Sequence, residues 1–153
     1  MKLSEKFQNP SRFGSKVEEW IFWQMEQQGL VVYPPWRDNQ GIDAVVMRPN
    51  ESFAKVQIKS RAGIPEHKVP LGFNNIKCEH QGDYWFIFYF AQLGEKGTLL
   101  LMSVDEFMRH AKERQNGWEF RPGGMKNKEI YIKPEYEKYI CHDFSFRRLI
   151  EVE

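Results

Sequence analysis

The sequence predicts a mixed α/β layer fold, a mixed β-sheet flanked by helices, and three stretches carry that expectation. Between Ser15 and Gln28, the residues Val17, Ile21, Met25 and Gln28 recur at helical spacing, with Trp20 and Phe22 widening the stripe. In Ser52–Arg61, SFAKVQIKSR, Ala54, Val56 and Ile58 alternate with Lys55, Gln57 and Lys59, the period-two pattern of a half-buried strand with one solvated face. Tyr84–Ala91 is an unbroken apolar run, aromatic and β-branched, which reads as a buried strand and is far too short to cross a bilayer.

The elements follow in order. Ser15 is placed to cap the first helix, with Glu18 three residues on as in a capping box, and Gly29 ends it. Leu30–Tyr33 is a short strand broken by Pro34-Pro35, and Trp36–Gln40 is a loop. Ile42–Met47 and Ser52–Ser60 form a hairpin turning at Arg48–Glu51. Ala62–Gly72 is a loop, and Phe73–His80 is expected to be a short helix. Tyr84–Phe90 and Thr98–Ser103 are strands joined by a turn at Gly94–Lys96, and a helix runs from Ser103 or Asp105 to about Glu113. Asn116–Asn127, with Pro122-Gly123-Gly124, is expected to be irregular. Ile130–Ile132 reads as a strand, and Pro134 starts a helix over Glu135–Tyr139. Cys141–Glu153 receives no assignment.

The 153 residues suffice for one domain with its own core, expected over about residues 14–113, with a C-terminal elaboration over about 114–153. A net charge of +1 excludes a globally cationic surface, so any phosphate-binding surface must come from local clustering. Cys78 and Cys141 stand far apart in the sequence, which supports neither a zinc ribbon nor a disulfide framework and fits a reducing, cytoplasmic setting. The first residues, MKLSEKFQNP, lack the apolar core of a signal peptide.

The hairpin carries the chemistry. It can bring Asp43 beside Gln57 and Lys59, so that a carboxylate, an amide oxygen and an ammonium meet where a divalent ion and a phosphate can be held. Taken singly, Glu18 has a second reading as a capping partner, Asp43 as a turn residue and Lys59 as a solvated strand lysine. His142-Asp143 resembles half of an HD metal pair but has no evident partners, and His67, His80 and His110 show no metal spacing.

Together these residues resemble the PD-(D/E)xK nuclease superfamily, the restriction-endonuclease-like fold, over roughly residues 14–113. Glu18, Ile21, Phe22, Met25 and Gly29 match the spacing of the family's first helix, G-E-x-x-V-A-x-x-L-x-x-x-G. Asp43 in Gly41-Ile42-Asp43 matches its strand aspartate, and Gln57-Ile58-Lys59 matches (E/Q)xK, followed by Ser60. Ile42 stands where the family's proline is usual. Gln57 replaces the usual Glu, as in Mrr-type restriction enzymes and a homing endonuclease of cyanobacterial group I introns. The resemblance implies an α-β-β-β-α-β core and a Mg²⁺-dependent endonuclease, with Mn²⁺ able to substitute. It implies Asp43 as main metal ligand, Glu18 bound directly or through water, and the Gln57 amide oxygen and Ile58 backbone carbonyl completing the protein shell. Lys59 would orient the attacking water and stabilise transition-state charge.

The expected partner is double-stranded DNA, with no membrane. One site per subunit implies a homodimer or higher homo-oligomer for cutting both strands. Lys55, Ser60, Arg61, Lys68, Lys126 and Lys128 are the expected nucleic-acid contacts, with Lys77, Arg121 and Arg147-Arg148 as further basic positions and the loops Trp36–Gln40 and Arg61–Gly72 as substrate readers. A homing or restriction role is preferred to repair. Two other classes stay open, a catalytically silent nucleic-acid-binding module on the same fold and a protein-interaction or immunity protein using an aromatic surface.

Overall fold

In the computed structural model, which describes residues 10–35, 41–62 and 71–152, helix α1 spans Pro10–Gln27. It starts earlier than its apolar stripe suggests, because Pro10 at the first turn has its φ preset for a helix and lacks an N–H to leave unpaired. Ser15 and Glu18 therefore lie inside the helix, and the expected capping box there does not exist. The C-terminal end is as expected. Gly29 takes φ +95°, its N–H donates to Glu26 O at 3.2 Å, and Leu30 N donates to Met25 O at 3.1 Å. This closes a Schellman turn with Leu30 and Met25 both buried.

The strands among the described residues are β1 (Val31–Tyr33), β2 (Ala44–Met47), β3 (Phe53–Arg61), β4 (Phe73–Ile76), β5 (Tyr84–Phe90), β6 (Thr98–Ser103), β7 (Lys112–Arg114), β8 (Gly117–Phe120), β9 (Gly123–Lys126) and β10 (Glu129–Ile132). The main sheet has the order β1-β2-β3-β5-β6. It is mixed: β3 and β5 run parallel, and the other neighbours are antiparallel. A smaller sheet has the order β4-β8-β7, and β9 and β10 form a two-stranded ribbon. Helix α2 (Val104–His110) is capped by Ser103 and Glu106 in a reciprocal capping box, and α3 (Arg147–Ile150) lies near the C-terminus.

The fold is thus α/β with a mixed sheet, but the expected second core helix is not among the described residues. The parallel step from β3 to β5 contains strand β4 where a helix over Phe73–His80 was expected. Phe73 and Ile76 are buried three residues apart, a spacing that a helix face and a bulged strand share. Pairing with Phe120 and Trp118 of β8, and Asn75 at φ +57°, decide for the strand. The same kind of non-local pairing turns the expected irregular stretch over residues 116–127 into β8 and β9. It also stops α2 at His110, before Glu113, so that β7 can form.

Both faces of the central strands are covered. Val17, Ile21 and Met25 of α1 pack with Ala54, Val56, Ile58, Trp85 and Ile87 on one face. On the other, Phe86, Phe88 and Phe90 meet Phe107 of α2, Phe73, Phe120, and Tyr136 and Tyr139 of a 3₁₀ turn over Pro134–Tyr139. The expected solvated face of β3 is a correction: Gln57 is only 3% exposed and Lys55 and Lys59 are half-buried.

The C-terminal residues belong to the first core. Cys141, Phe146 and Leu149 are buried in it. The Gln28 side chain clasps this segment by donating to Phe144 O at 2.8 Å and accepting from Phe146 N at 2.7 Å. Arg48, 2% exposed, donates to Leu149 O at 2.5 Å and makes a two-pronged ion pair with Asp83 at 2.5 and 2.8 Å. No helix among the described residues is long and apolar enough to cross a membrane.

Candidate active site

Asp43 sits where β2 parts from β3. Its backbone N–H donates to Val56 O at 2.8 Å, and its carboxylate accepts the Ile58 N–H at 2.6 Å. A side chain thus takes the place of the next rung of the ladder. In an extended strand the N–H and C=O of one residue point to the same edge, so the Ile58 carbonyl faces this fork too.

The turn before Asp43 is tightly held. Gly41 has φ +85°, and a Cβ there would come within 3.0 Å of the Tyr84 hydroxyl oxygen and 3.3 Å of Gln57 Nε2. The Tyr84 hydroxyl donates to the Gly41 carbonyl. Burial holds the Tyr84 phenol well above its ordinary pKa, with Cys78, Asp43 and Glu79 adding to the effect, so it stays a neutral donor.

Glu18 follows Val17 on α1, and Val17 is fully buried against the sheet, which draws Glu18 into a half-buried position. Burial, then the charge and hydrogen bond of the neighbouring Asp43, push the Glu18 carboxyl up to about 7, and Lys59 partly offsets them. Two carboxylates from distant parts of the chain therefore share one site, with an ammonium in electrostatic reach.

Gln57 and Lys59 share a face of β3 by strand alternation. The Oε1 atom of Gln57 is buried without a hydrogen-bond partner. Such an atom costs about 1–3 kcal/mol of lost solvation unless something occupies it. Among the described residues Lys59 makes no ion pair within 4.0 Å.

These residues fit a hard divalent cation. Glu18, Asp43, Gln57 Oε1 and the Ile58 carbonyl are all oxygen donors, the set that Mg²⁺ and Mn²⁺ prefer. Among the described residues no group of three or more His, Cys, Asp or Glu side chains could hold a metal. Of the side chains gathered here only Glu18 and Asp43 are carboxylates, and Gln57 is a neutral amide.

The other expected contacts are scattered. Ser60 lies on the opposite face of β3 from Lys59, the face covered by α1. Lys55 is engaged with Gln81 O at 2.9 Å and with the Tyr84 ring. Arg61 lies two residues beyond Lys59 on the same face, with its Nε donating to Gly72 O at 3.1 Å. Lys126 and Lys128 flank the tip of the β9–β10 ribbon, where Asn127 and Lys128 both take positive φ. Lys77 reaches Asn116 O at 3.4 Å, Arg147 pairs with Glu151, and Arg148 is tied structurally to Glu106 and Leu101 O. His142-Asp143 forms a 3₁₀ turn with no metal grouping among the described residues. Lys68, His67, the loop over residues 36–40 and most of the loop over residues 61–72 lie outside the described residues. Sequence reasoning missed Tyr84 and Gly41, because a tyrosine opening a buried strand and a glycine before an aspartate carry no chemical motif.

No family model, curated protein or solved structure matches this chain.

Proposed function

We propose that this protein is a divalent-metal-dependent endodeoxyribonuclease that hydrolyses phosphodiester bonds in double-stranded DNA, in a homing or restriction role. The supporting observations are the meeting of Glu18 and Asp43, the hold of the Asp43 carboxylate on the Ile58 N–H between Gln57 and Lys59, and the buried, unpartnered Oε1 of Gln57. A bound Mg²⁺ supplies Lewis-acid compensation of phosphate charge and an acidified water.

The chain's own residues do the rest. Asp43 and Glu18 supply negative charge that favours a cation over water at this point. The Ile58 N–H holds the Asp43 carboxylate in one orientation. The Gln57 amide adds a neutral donor oxygen already stripped of water. The Lys59 ammonium neutralises charge as it builds on the phosphate oxygens and orients the attacking water. Each subunit carries one such site, so cutting both strands calls for two copies of the chain.

Incubation with supercoiled plasmid, with Mg²⁺, with Mn²⁺ and with chelator, tests the reading. Nicked or linear product only with metal, and lost in Asp43→Ala with DNA binding retained, is the expected result. Retarded but uncut plasmid under every metal condition would replace it with a silent DNA-binding module. Neither binding nor cleavage would leave the protein-interaction class.

A further inference from the structure

We propose that Arg61 and Arg121, brought together over Gly72, form a clamp for a backbone phosphate of the nucleic acid, beside the cutting site. The inference rests on the nuclease reading and names how that site holds its substrate.

Two guanidiniums converge on one glycine. Arg61 Nε donates to Gly72 O at 3.1 Å, and its guanidinium carbon lies 4.8 Å from the centre of the Phe73 ring. Arg121, the residue after β8, crosses the same residue: a Cβ on Gly72 would meet Arg121 Cδ at 2.4 Å and Nη1 at 2.9 Å. Arg121 Nη2 donates to Asn74 Oδ1 at 2.8 Å. Each arginine is thus oriented by a neutral oxygen. The only carboxylate paired with either among the described residues is Glu119, 3.7 Å from Arg121 and shared with Arg114. Among the described residues, three arginines against one glutamate leave an excess of positive charge. The closeness of Arg121, after burial, lowers the Arg61 pKa, as two like charges in reach of each other must.

Mutual repulsion of this kind is relieved by an anion between the two groups, and the planar N–H fork suits a phosphate. Strand geometry says which phosphate. Arg61 shares its face of β3 with Gln57 and Lys59 and lies two residues from Lys59, about 6.8 Å along the strand. A strand of nucleic acid whose scissile phosphate rests at Lys59 carries a neighbouring phosphate towards the clamp.

The test is fluorescence anisotropy of a labelled DNA duplex in chelator, where no metal-dependent cutting occurs, over a series of KCl concentrations. Arg61→Gln and Arg121→Gln should each weaken binding about tenfold. Each should make the plot of log affinity against log salt shallower by about one unit. Gly72→Ala keeps every charge but displaces Arg121, so it should weaken binding as well, and Arg61→Lys should keep the salt slope while losing affinity. Thermal melting identifies any variant that fails to fold, and the remaining variants then decide. Duplex binding by the parental protein with affinity and slope unchanged in the folded variants overturns the clamp and leaves the nuclease reading intact. A parental protein that neither binds nor cuts DNA overturns both.

Discussion

Lys59 and Gln57 stand two residues apart on one strand face, and their substitution should have opposite consequences. In the proposed reaction Lys59→Ala removes an ammonium next to the reacting phosphate, so single-turnover cleavage at saturating enzyme should fall by at least about a hundredfold. Arg in its place keeps the charge but not the compact ammonium, and should rescue only in part. Thermal melting should change little, because Lys59 is half-buried and has no ion-pair partner among the described residues. Gln57→Met replaces a buried amide whose oxygen is unpartnered by an apolar side chain of similar length. Without metal it should raise stability by about 1 kcal/mol. With Mg²⁺ it should lose much of the melting shift that the parental protein shows. A Gln57→Met protein that melts lower and still responds fully to Mg²⁺ would remove Gln57 from the metal shell.

At the scale of elements, the turn between β2 and β3 is held from outside the hairpin. Arg48 is buried and tied to Asp83, which also accepts from Trp85 Nε1 at 2.8 Å, and to the C-terminal helix through Leu149 O. Asp83→Ala leaves a buried guanidinium without its counter-charge and should cost about 1–3 kcal/mol in chemical denaturation, the partial exposure of Asp83 keeping it below a fully buried pair. The hydrogen bond from Arg48 leads the causes that hold the Asp83 carboxyl below its ordinary pKa of 3.8. Its stabilisation is therefore present above pH 3.8 and is lost as pH falls through the lower folded-state value. The parental protein should lose stability in that acid range, and Asp83→Ala should lose less of what it has left. The hairpin itself was legible, because alternation in SFAKVQIKSR fixes a strand and its register by local chemistry. Strand β4 was not, because Phe73 and Ile76 at a spacing of three serve a helix and a bulged strand alike until β8 arrives to pair with them.

For the whole molecule, the burial of Glu18, reinforced by the neighbouring charge of Asp43, makes stability depend on pH in the direction opposite to Asp83. Glu18 has an ordinary value of 4.5 and is raised to about 7 on folding. Between those values the folded state binds more protons than the unfolded one, so stability falls as pH rises from about 4.5 to about 7, and the full penalty persists above. The melting temperature of the metal-free protein should drop across that window, and Glu18→Gln should flatten the drop. A divalent cation relieves the same repulsion, so Mg²⁺ should raise the melting temperature more at pH 8 than at pH 5. An equal Mg²⁺ effect at both pH values would separate the carboxylate pair from metal binding.

The sequence by itself determined the α/β class, the helix ending at Gly29, the hairpin and the aromatic strand β5, and it named Glu18, Asp43, Gln57 and Lys59 as the candidate site. The structural features depend on periodicity and turn chemistry, which act over a few residues, and the candidate site on a spacing pattern read along the chain. Tertiary structure alone decided that the half-buried Glu18 meets Asp43, that Gln57 is buried with an unpartnered oxygen, that Tyr84 fastens Gly41, and that Arg61 meets Arg121 over Gly72. Each depends on which distant segment packs against the strand. Burial and close charge, the quantities that shift the Glu18 carboxyl, arise only when those segments meet.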